Sequence, residues 1–193
     1  MTGDDGQRLR SFVAVPLPAE VQQGILQAAR GLAGELPEVK WSAKAENLHI
    51  TVRFLGDVAS ALLPGLAQAL VEACAAHPVF SLGLCGWGAF PDAGHASTLW
   101  AGVDDGEGRL ARVVDAVEGA FGRLGVVRER RPFHPHVTVG RCKAGVDARR
   151  ALDGWRGHRF GTVAVTALHL YESRLGGGGS TYFLRGRAPL QND

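Results

Sequence analysis

Two short segments of the chain carry a histidine and a threonine two residues apart inside an apolar run. His49 and Thr51 lie in "NLHITVRFLG", and His136 and Thr138 lie in "PHVTVGR". Residues i and i+2 of a β-strand share a face, so each pair presents an imidazole and a hydroxyl on the same side. With seven histidines and seven threonines in 193 residues, chance supplies about 0.25 such pairs. The repeat therefore favours a site over two satisfied polar pairs in a core.

Two imidazoles and two hydroxyls in one cleft suit the hydrolysis of a phosphodiester without a metal. One neutral histidine removes a proton from the nucleophile, and the other, protonated, gives a proton to the leaving oxygen. The threonine hydroxyls donate hydrogen bonds to the non-bridging oxygens, where negative charge grows in the transition state. Because the two motifs are nearly identical, the residue types alone leave open which histidine is the acid and which is the base.

Other kinds of site have weaker support in the sequence. A zinc centre needs three or four convergent ligands, and no further His, Cys or carboxylate stands at ligand spacing from either motif. A nucleophilic serine of the hydrolase type needs a glycine-flanked elbow, which the chain lacks. We therefore expect no metal and no cofactor.

Composition and charge are those of a soluble globular protein, with 46% hydrophobic and 21% charged residues and a net charge of +2. No apolar run reaches the roughly 18 residues that indicate a membrane span, and the start of the chain has no apolar region typical of a secretory signal. Cys74, Cys85 and Cys142 are odd in number and form no C-x-x-C pair. We therefore predict a cytoplasmic protein without disulfides.

Hydrophobic periodicity predicts alternating strands and helices, and therefore an α+β or α/β sandwich of two similar lobes, each with one His-x-Thr strand. No linker of domain-separating length appears, so residues 1–193 are expected to form a single two-lobed domain. The glycine run 176–179 is interpreted as the mobile loop of a hairpin. The predicted strands are 8–18, 47–56, 80–90, 97–103, 131–141, 160–173 and 180–190, and the predicted helices are 19–36, 59–76, 107–124 and, in part, 148–155.

Four segments together resemble the RNA 2′,3′-cyclic phosphodiesterase family, also called 2′-5′ RNA ligases, of the two-histidine phosphoesterase superfamily. They are "RSFVAVPLP", "NLHITVRFLGDV", "RPFHPHVTVGR" and "LYESRLGGGGSTYFLRGRAPL". The resemblance implies a bilobal fold with two pseudo-symmetric lobes of antiparallel-rich sheet and outer helices around a central cleft. It also implies His49 as proton donor, His136 as proton acceptor, Thr51 and Thr138 on the phosphate, and Arg141 on the phosphate or nucleotide.

Several further residues near the motifs are open between two roles. Strand alternation puts Arg141 on the face opposite His136, unless the strand ends or bulges first. Phe12 and Phe54 could stack a base or belong to the core. Arg53 is either a phosphate contact or part of a solvated edge, and His134 shares the face of His136.

The predicted function is the hydrolysis of a 2′,3′-cyclic phosphate, at RNA ends or on nucleotides, to a 2′-phosphomonoester. The substrate is thus the partner, with no membrane involved, and a monomer is expected. Two alternatives use the same histidines, namely 2′-5′ ligation of tRNA halves and hydrolysis of another cyclic phosphate such as that of ADP-ribose. A third alternative is an RNA-binding module, which would not need a matched acid–base pair.

Overall fold

The computed structural model describes residues 6–177 and 179–191. The described residues form four α-helices and nine β-strands. The helices are α1 (Ala19–Ala33), α2 (Leu63–Cys74), α3 (Arg109–Gly122) and α4 (Arg149–Asp153). The strands are β1 (Arg8–Pro16), β2 (Lys40–Trp41), β3 (His49–Ala59), β4 (Phe80–Phe90), β5 (Ala96–Asp104), β6 (His136–Val146), β7 (Arg159–Val165), β8 (Ala167–Gly176) and β9 (Gly179–Pro189).

The strands are divided between two antiparallel sheets. One sheet has the order β3-β1-β8-β9, and the other has the order β2-β6-β5-β4-β7. Each sheet contains one strand that begins at a motif histidine, and these two strands, β3 and β6, contact each other. The predicted α+β fold with two lobes around a cleft is therefore confirmed, and the two motifs lie where the lobes meet.

The long helices pack on the sheets and on one another. Helix α1 follows β1 of the four-stranded sheet in the chain, but it packs against β6 and β7 of the other sheet. Its buried residues follow the helical spacing expected of one apolar face: Val21, Ile25, Ala28, Ala29 and Leu32. Helix α2 packs on β8 and β9, and α3 packs on α2. Among the described helices, none combines the length and the apolar character that a membrane span requires.

The apolar residues between the motif side chains fill the core, as alternation predicts. Ile50 and Val52 of β3, and Val137 and Val139 of β6, are all at most 5% exposed. Burial of this kind stabilises each strand by about 1.5–3 kcal/mol per large side chain. The core contacts therefore hold the backbone of both motifs and leave the polar side chains on the cleft side.

Two predicted strand assignments are wrong in part, and one strand was missed. The segment 160–173 is not one strand, because the chain leaves the five-stranded sheet at Val165 and joins the other sheet at Ala167. The strand predicted at 131 begins only at His136, since Pro132 and Pro135 cannot donate to a ladder. The short edge strand β2 was not predicted.

The predicted hairpin loop is shorter than the glycine run suggested. Strands β8 and β9 stay paired as far as Gly176 and Gly179. Gly178, the centre of the predicted mobile loop, lies outside the described residues, as does the start of the chain at 1–5.

Candidate active site

A bulge in β6 brings Arg141 to the same side as His136. In the pairing with β5, Thr138 lies opposite Trp100 and Gly140 lies opposite Leu99, so one residue of β6 is extra between them. Two consecutive residues of β6, Val139 and Gly140, are buried, and Arg141 is exposed. The bulge shifts the alternation by one position. Arg141 consequently lines the same cavity as His136 and Thr138. The sequence left open on which face of the strand Arg141 lies, and the structure places it on the face of His136.

Strand β3 repeats this irregularity in the other sheet. Thr51 pairs with Ala14 and Arg53 pairs with Val13, so Val52 is the extra residue. The position five residues after the motif histidine is thus equivalent in the two lobes. Arg141 occupies it in one lobe, and Phe54 occupies it in the other.

Each catalytic candidate is oriented by a backbone carbonyl two residues before it. Nδ1 of His49 lies 2.8 Å from the carbonyl oxygen of Asn47. Nδ1 of His136 lies 2.7 Å from the carbonyl oxygen of His134. Because a carbonyl can only accept, Nδ1 of each ring carries a proton and donates it. Nε2 is therefore the nitrogen of each ring that can gain or lose a proton.

His49 lies against aromatic rings of its own sheet. Its ring stacks on Phe12 with 4.7 Å between centroids and meets the edge of Tyr182 at 5.3 Å. Burial lowers the pKa of His49 to about 4, although the hydrogen bond to Asn47 opposes the shift. A smaller part of the lowering comes from the charge of His136, so the two imidazoles are close enough to influence each other's protonation.

His136 has a similar apolar environment in the other sheet. The ring of Phe90 lies 5.0 Å from its ring, and that of Trp100 lies 6.0 Å away. Burial lowers the pKa of His136, the hydrogen bond to His134 opposes the shift, and the charges of His134 and Arg141 add to it. Burial therefore favours the neutral form of both candidate residues in the free protein.

Two cavities lie on the cleft beside these side chains. The larger, of about 830 Å³, is lined by four of the five predicted site residues. These are Thr51, His136, Thr138 and Arg141. His49 lines the smaller cavity, of about 260 Å³, together with Tyr171, Tyr182 and Ser180. The two motif histidines thus line different cavities, although the charge of His136 contributes to lowering the pKa of His49.

The remaining candidates have clear positions. Phe12 is 3% exposed and belongs to the core beneath His49, whereas Phe54 is 44% exposed on the wall of the larger cavity. Arg53 is neither solvated nor free for a phosphate. It is 8% exposed, and its Nε lies 3.0 Å from Oε1 of Glu118 on α3. His134 is exposed and lines the larger cavity beside Trp100.

The sequence reasoning missed the aromatic neighbours of both histidines and the carbonyls that orient them. The smaller cavity contains Tyr182 from the closing hairpin, which is far from His49 in sequence. Phe90 and Trp100 are likewise brought to His136 by the sheet, on β4 and β5. The only sequence signal for these contacts is the presence of aromatic residues in strands of the same sheet.

Metal-ligand side chains do not cluster in the part of the chain that the structure describes. No group of three or more His, Cys, Asp or Glu residues there could hold a metal ion together. Cys74, Cys85 and Cys142 are all unpaired.

The chain is similar to known proteins over most of its length. The model of the 2′-5′ RNA ligase superfamily matches residues 16–177. An RNA 2′,3′-cyclic phosphodiesterase of Archaeoglobus fulgidus is 31% identical, over 90% of this chain and 96% of that protein. One of Geobacillus stearothermophilus is 36% identical over 70% of this chain, which corresponds to 42% of the longer protein.

Solved structures show the same architecture. The apo form of Escherichia coli LigT superposes with a TM-score of 0.76 at 26% identity, covering 96% of this chain and 99% of LigT. LigT has also been crystallised with 3′-AMP and with ATP. Sequence and fold agree, and the chain belongs to the 2′-5′ RNA ligase superfamily.

Proposed function

We propose that this protein hydrolyses the 2′,3′-cyclic phosphate of an RNA end or nucleotide to a 2′-phosphomonoester, without a metal. The observation that carries the proposal is the matched pair of histidines, each held through Nδ1 and each supplied by a different sheet. The named activity of the relatives in A. fulgidus and G. stearothermophilus supports the same substrate class.

The chemical step moves one proton at each histidine. Nε2 of His136, neutral, accepts a proton from a water molecule as the water oxygen attacks phosphorus. The bond from phosphorus to the 3′ oxygen breaks, and the 3′ oxygen takes the proton from Nε2 of His49. The product has a 2′-phosphate and a 3′-hydroxyl. Exchange with solvent then removes the added proton from His136 and returns a proton to His49.

The other site residues bind the phosphate in this proposal. Thr51 and Thr138 donate hydroxyl hydrogen bonds to the non-bridging oxygens, which carry more negative charge in the transition state. Arg141, from the strand after the β6 bulge, adds a positive charge; its Nη1 lies 3.3 Å from Oγ1 of Thr98 in the free protein. Its guanidinium is suited to phosphate because its donors form a planar fork.

Substrate binding prepares His49 to act as the acid. In the free protein burial lowers its pKa to about 4, so only a small fraction is protonated at pH 7. A phosphodiester anion beside the ring stabilises the imidazolium and raises the pKa again. The acid is therefore charged mainly when the substrate is bound, which couples protonation to binding.

Ligation is the second candidate, since the family carries the name 2′-5′ RNA ligase. A 5′-hydroxyl in the place of water would give a 2′-5′ linkage with the same two proton transfers. The larger cavity, on the side of the general base His136, has room for such a nucleophile. Water is present at all times, so hydrolysis is expected to dominate.

An assay on 2′,3′-cyclic AMP and on a short RNA with a terminal cyclic phosphate tests the proposal. We expect both to be opened by protein that has been treated exhaustively with EDTA. A requirement for a divalent ion, shown by loss of activity with EDTA and recovery with the ion, would contradict the two-histidine mechanism.

A further inference from the structure

The larger cavity extends beyond the reacting phosphate. Its volume of about 830 Å³ is that of a pocket for a whole drug-sized ligand. The wall away from His136 is made by the segment between α3 and β6 and by Phe54 of β3. The cleft thus continues past the two motifs, on the side of the general base.

Some arginines of this wall have a carboxylate partner within the described part of the chain and others do not. Five arginines line the cavity, and three of them form ion pairs with carboxylates of the same wall. The pairs are Arg53 with Glu118, Arg128 with Asp115, and Arg131 with Glu129. Among the residues described, Arg130 and Arg141 have no carboxylate within ion-pair distance. Arg141 is already assigned to the reacting phosphate, so Arg130 is a second cation available for an anion.

Phe54 supplies a flat apolar surface on the same cavity. Its side chain is 44% exposed, which is unusual for a large aromatic residue in a strand. The guanidinium of Arg10 lies 4.6 Å from the ring centroid, and this contact holds the orientation of the ring. Exposed aromatic rings beside cations are the arrangement that single-stranded nucleic acids use for stacking and backbone contact.

We propose that Phe54 and Arg130 form a subsite for the nucleotide that precedes the cyclic phosphate. Phe54 stacks on its base, and Arg130 binds the phosphodiester that joins it to the terminal nucleotide. This inference rests on the proposed function and makes it narrower. The preferred substrate is then an RNA end of at least two nucleotides, and a free cyclic nucleotide is a poorer one.

Comparison of kcat/KM for a dinucleotide ending in a cyclic phosphate and for 2′,3′-cyclic AMP tests the subsite. The wild-type protein should favour the dinucleotide by about 5- to 150-fold, the range that one stacked base supplies. Arg130→Ala and Phe54→Ala should each reduce this ratio at least fivefold. Arg150→Ala is the matched control, because Arg150 is exposed on α4 and does not line the cavity; its ratio should equal that of the wild type.

Salt dependence gives a second measurement that needs no turnover. The Kd of a dinucleotide with a terminal 2′-phosphate should depend on salt, and Arg130→Ala should reduce the log–log slope by about 0.7, the contribution of one phosphate contact in a single strand. An unchanged ratio and an unchanged slope in Arg130→Ala would overturn the subsite. If the wild-type protein hydrolysed neither substrate but the salt-dependence slopes of the wild type and Arg130→Ala still differed, the proposed function would be overturned and the subsite would stand.

Discussion

Each motif histidine donates a hydrogen bond from Nδ1 to a backbone carbonyl, and this contact does not involve the threonine of its motif. The backbone carbonyls of Asn47 and His134 fix the protonated nitrogen of the two rings. Each ring is thereby left with Nε2 as its only exchangeable position. The two motifs are equivalent in this respect, so the proposed difference in role between the two histidines must come from the way the substrate lies between them.

Replacement of either histidine should remove one of the two proton transfers. We expect His49→Ala and His136→Ala to lower kcat by about 10²–10⁴ each, which is the usual contribution of a general acid or base. Steady-state kinetics on 2′,3′-cyclic AMP measures the effect, with circular dichroism as a check of folding. His77→Ala is the control, because His77 lines neither cavity. Turnover near the wild-type value in either site variant would remove that histidine from the mechanism.

The pH profile should differ between the free enzyme and its complex. Burial lowers the pKa of both histidines, that of His49 to about 4, so the maximum of kcat/KM should lie below pH 6.5. The bound phosphate favours the imidazolium, and the limbs of kcat should therefore lie at higher pH. The two limbs describe the coupled pair rather than single residues. A kcat/KM maximum above pH 7 would show that the histidines are not desolvated as described.

At the scale of single elements, the bulge in β6 determines whether Arg141 reaches the cleft. Gly140 stands in this bulge, and a Cβ there would lie 2.6 Å from Cγ1 of Val39. Gly140→Ala should therefore displace either the Val39 segment or the bulge, lower stability, and raise KM through Arg141. Gly83→Ala in β4 is the control, since its Cβ would meet only Asp104 at an ordinary 3.7 Å. Unchanged KM and unfolding midpoint in Gly140→Ala would contradict this role.

A buried ion pair joins the first motif strand to α3. Arg53 binds Glu118 and also donates to the carbonyl of Val127, in the segment that leads to the second motif. Glu118→Ala leaves the guanidinium with only the more distant carboxylate of Glu129, 3.8 Å from its Nη1. We therefore expect the free energy of unfolding to fall by up to about 3 kcal/mol. Asp115→Ala breaks the exposed pair with Arg128 and should lower the free energy of unfolding by about 0–1 kcal/mol. If Glu118→Ala and Asp115→Ala lost the same free energy of unfolding in urea, burial of the Arg53–Glu118 pair would have no energetic consequence.

The sequence could predict what depends on local patterns. The repeated His-x-Thr spacing identified the four motif residues, and alternation placed Ile50 and Val137 in the core. The faces of Phe54 and Arg141 could not be predicted, because a bulge is set by the pairing register with a distant strand. The change of sheet between Val165 and Ala167 and the ion pair of Arg53 also arise from long-range packing that no local pattern records.

At the scale of the whole molecule, the proposed reaction uses one residue from each of the two lobes. One histidine comes from each sheet, and the strands that carry them meet in the cleft. The attacking oxygen and the leaving oxygen must lie roughly in line through phosphorus. In the proposed reaction, a ribose held between the two histidines presents only one of its two bridging oxygens to the acid. The enzyme should therefore open the cyclic phosphate to a single isomer.

The isomer of the product tests this central claim most directly. EDTA-treated protein is incubated with 2′,3′-cyclic AMP, and the product is separated by chromatography alongside authentic 2′-AMP and 3′-AMP. We expect 2′-AMP alone, with His49 protonating the departing 3′ oxygen. Pure 3′-AMP would reverse the assignment of the leaving oxygen, and a mixture of the two isomers would contradict a fixed acid–base pair on opposite sides of the phosphate.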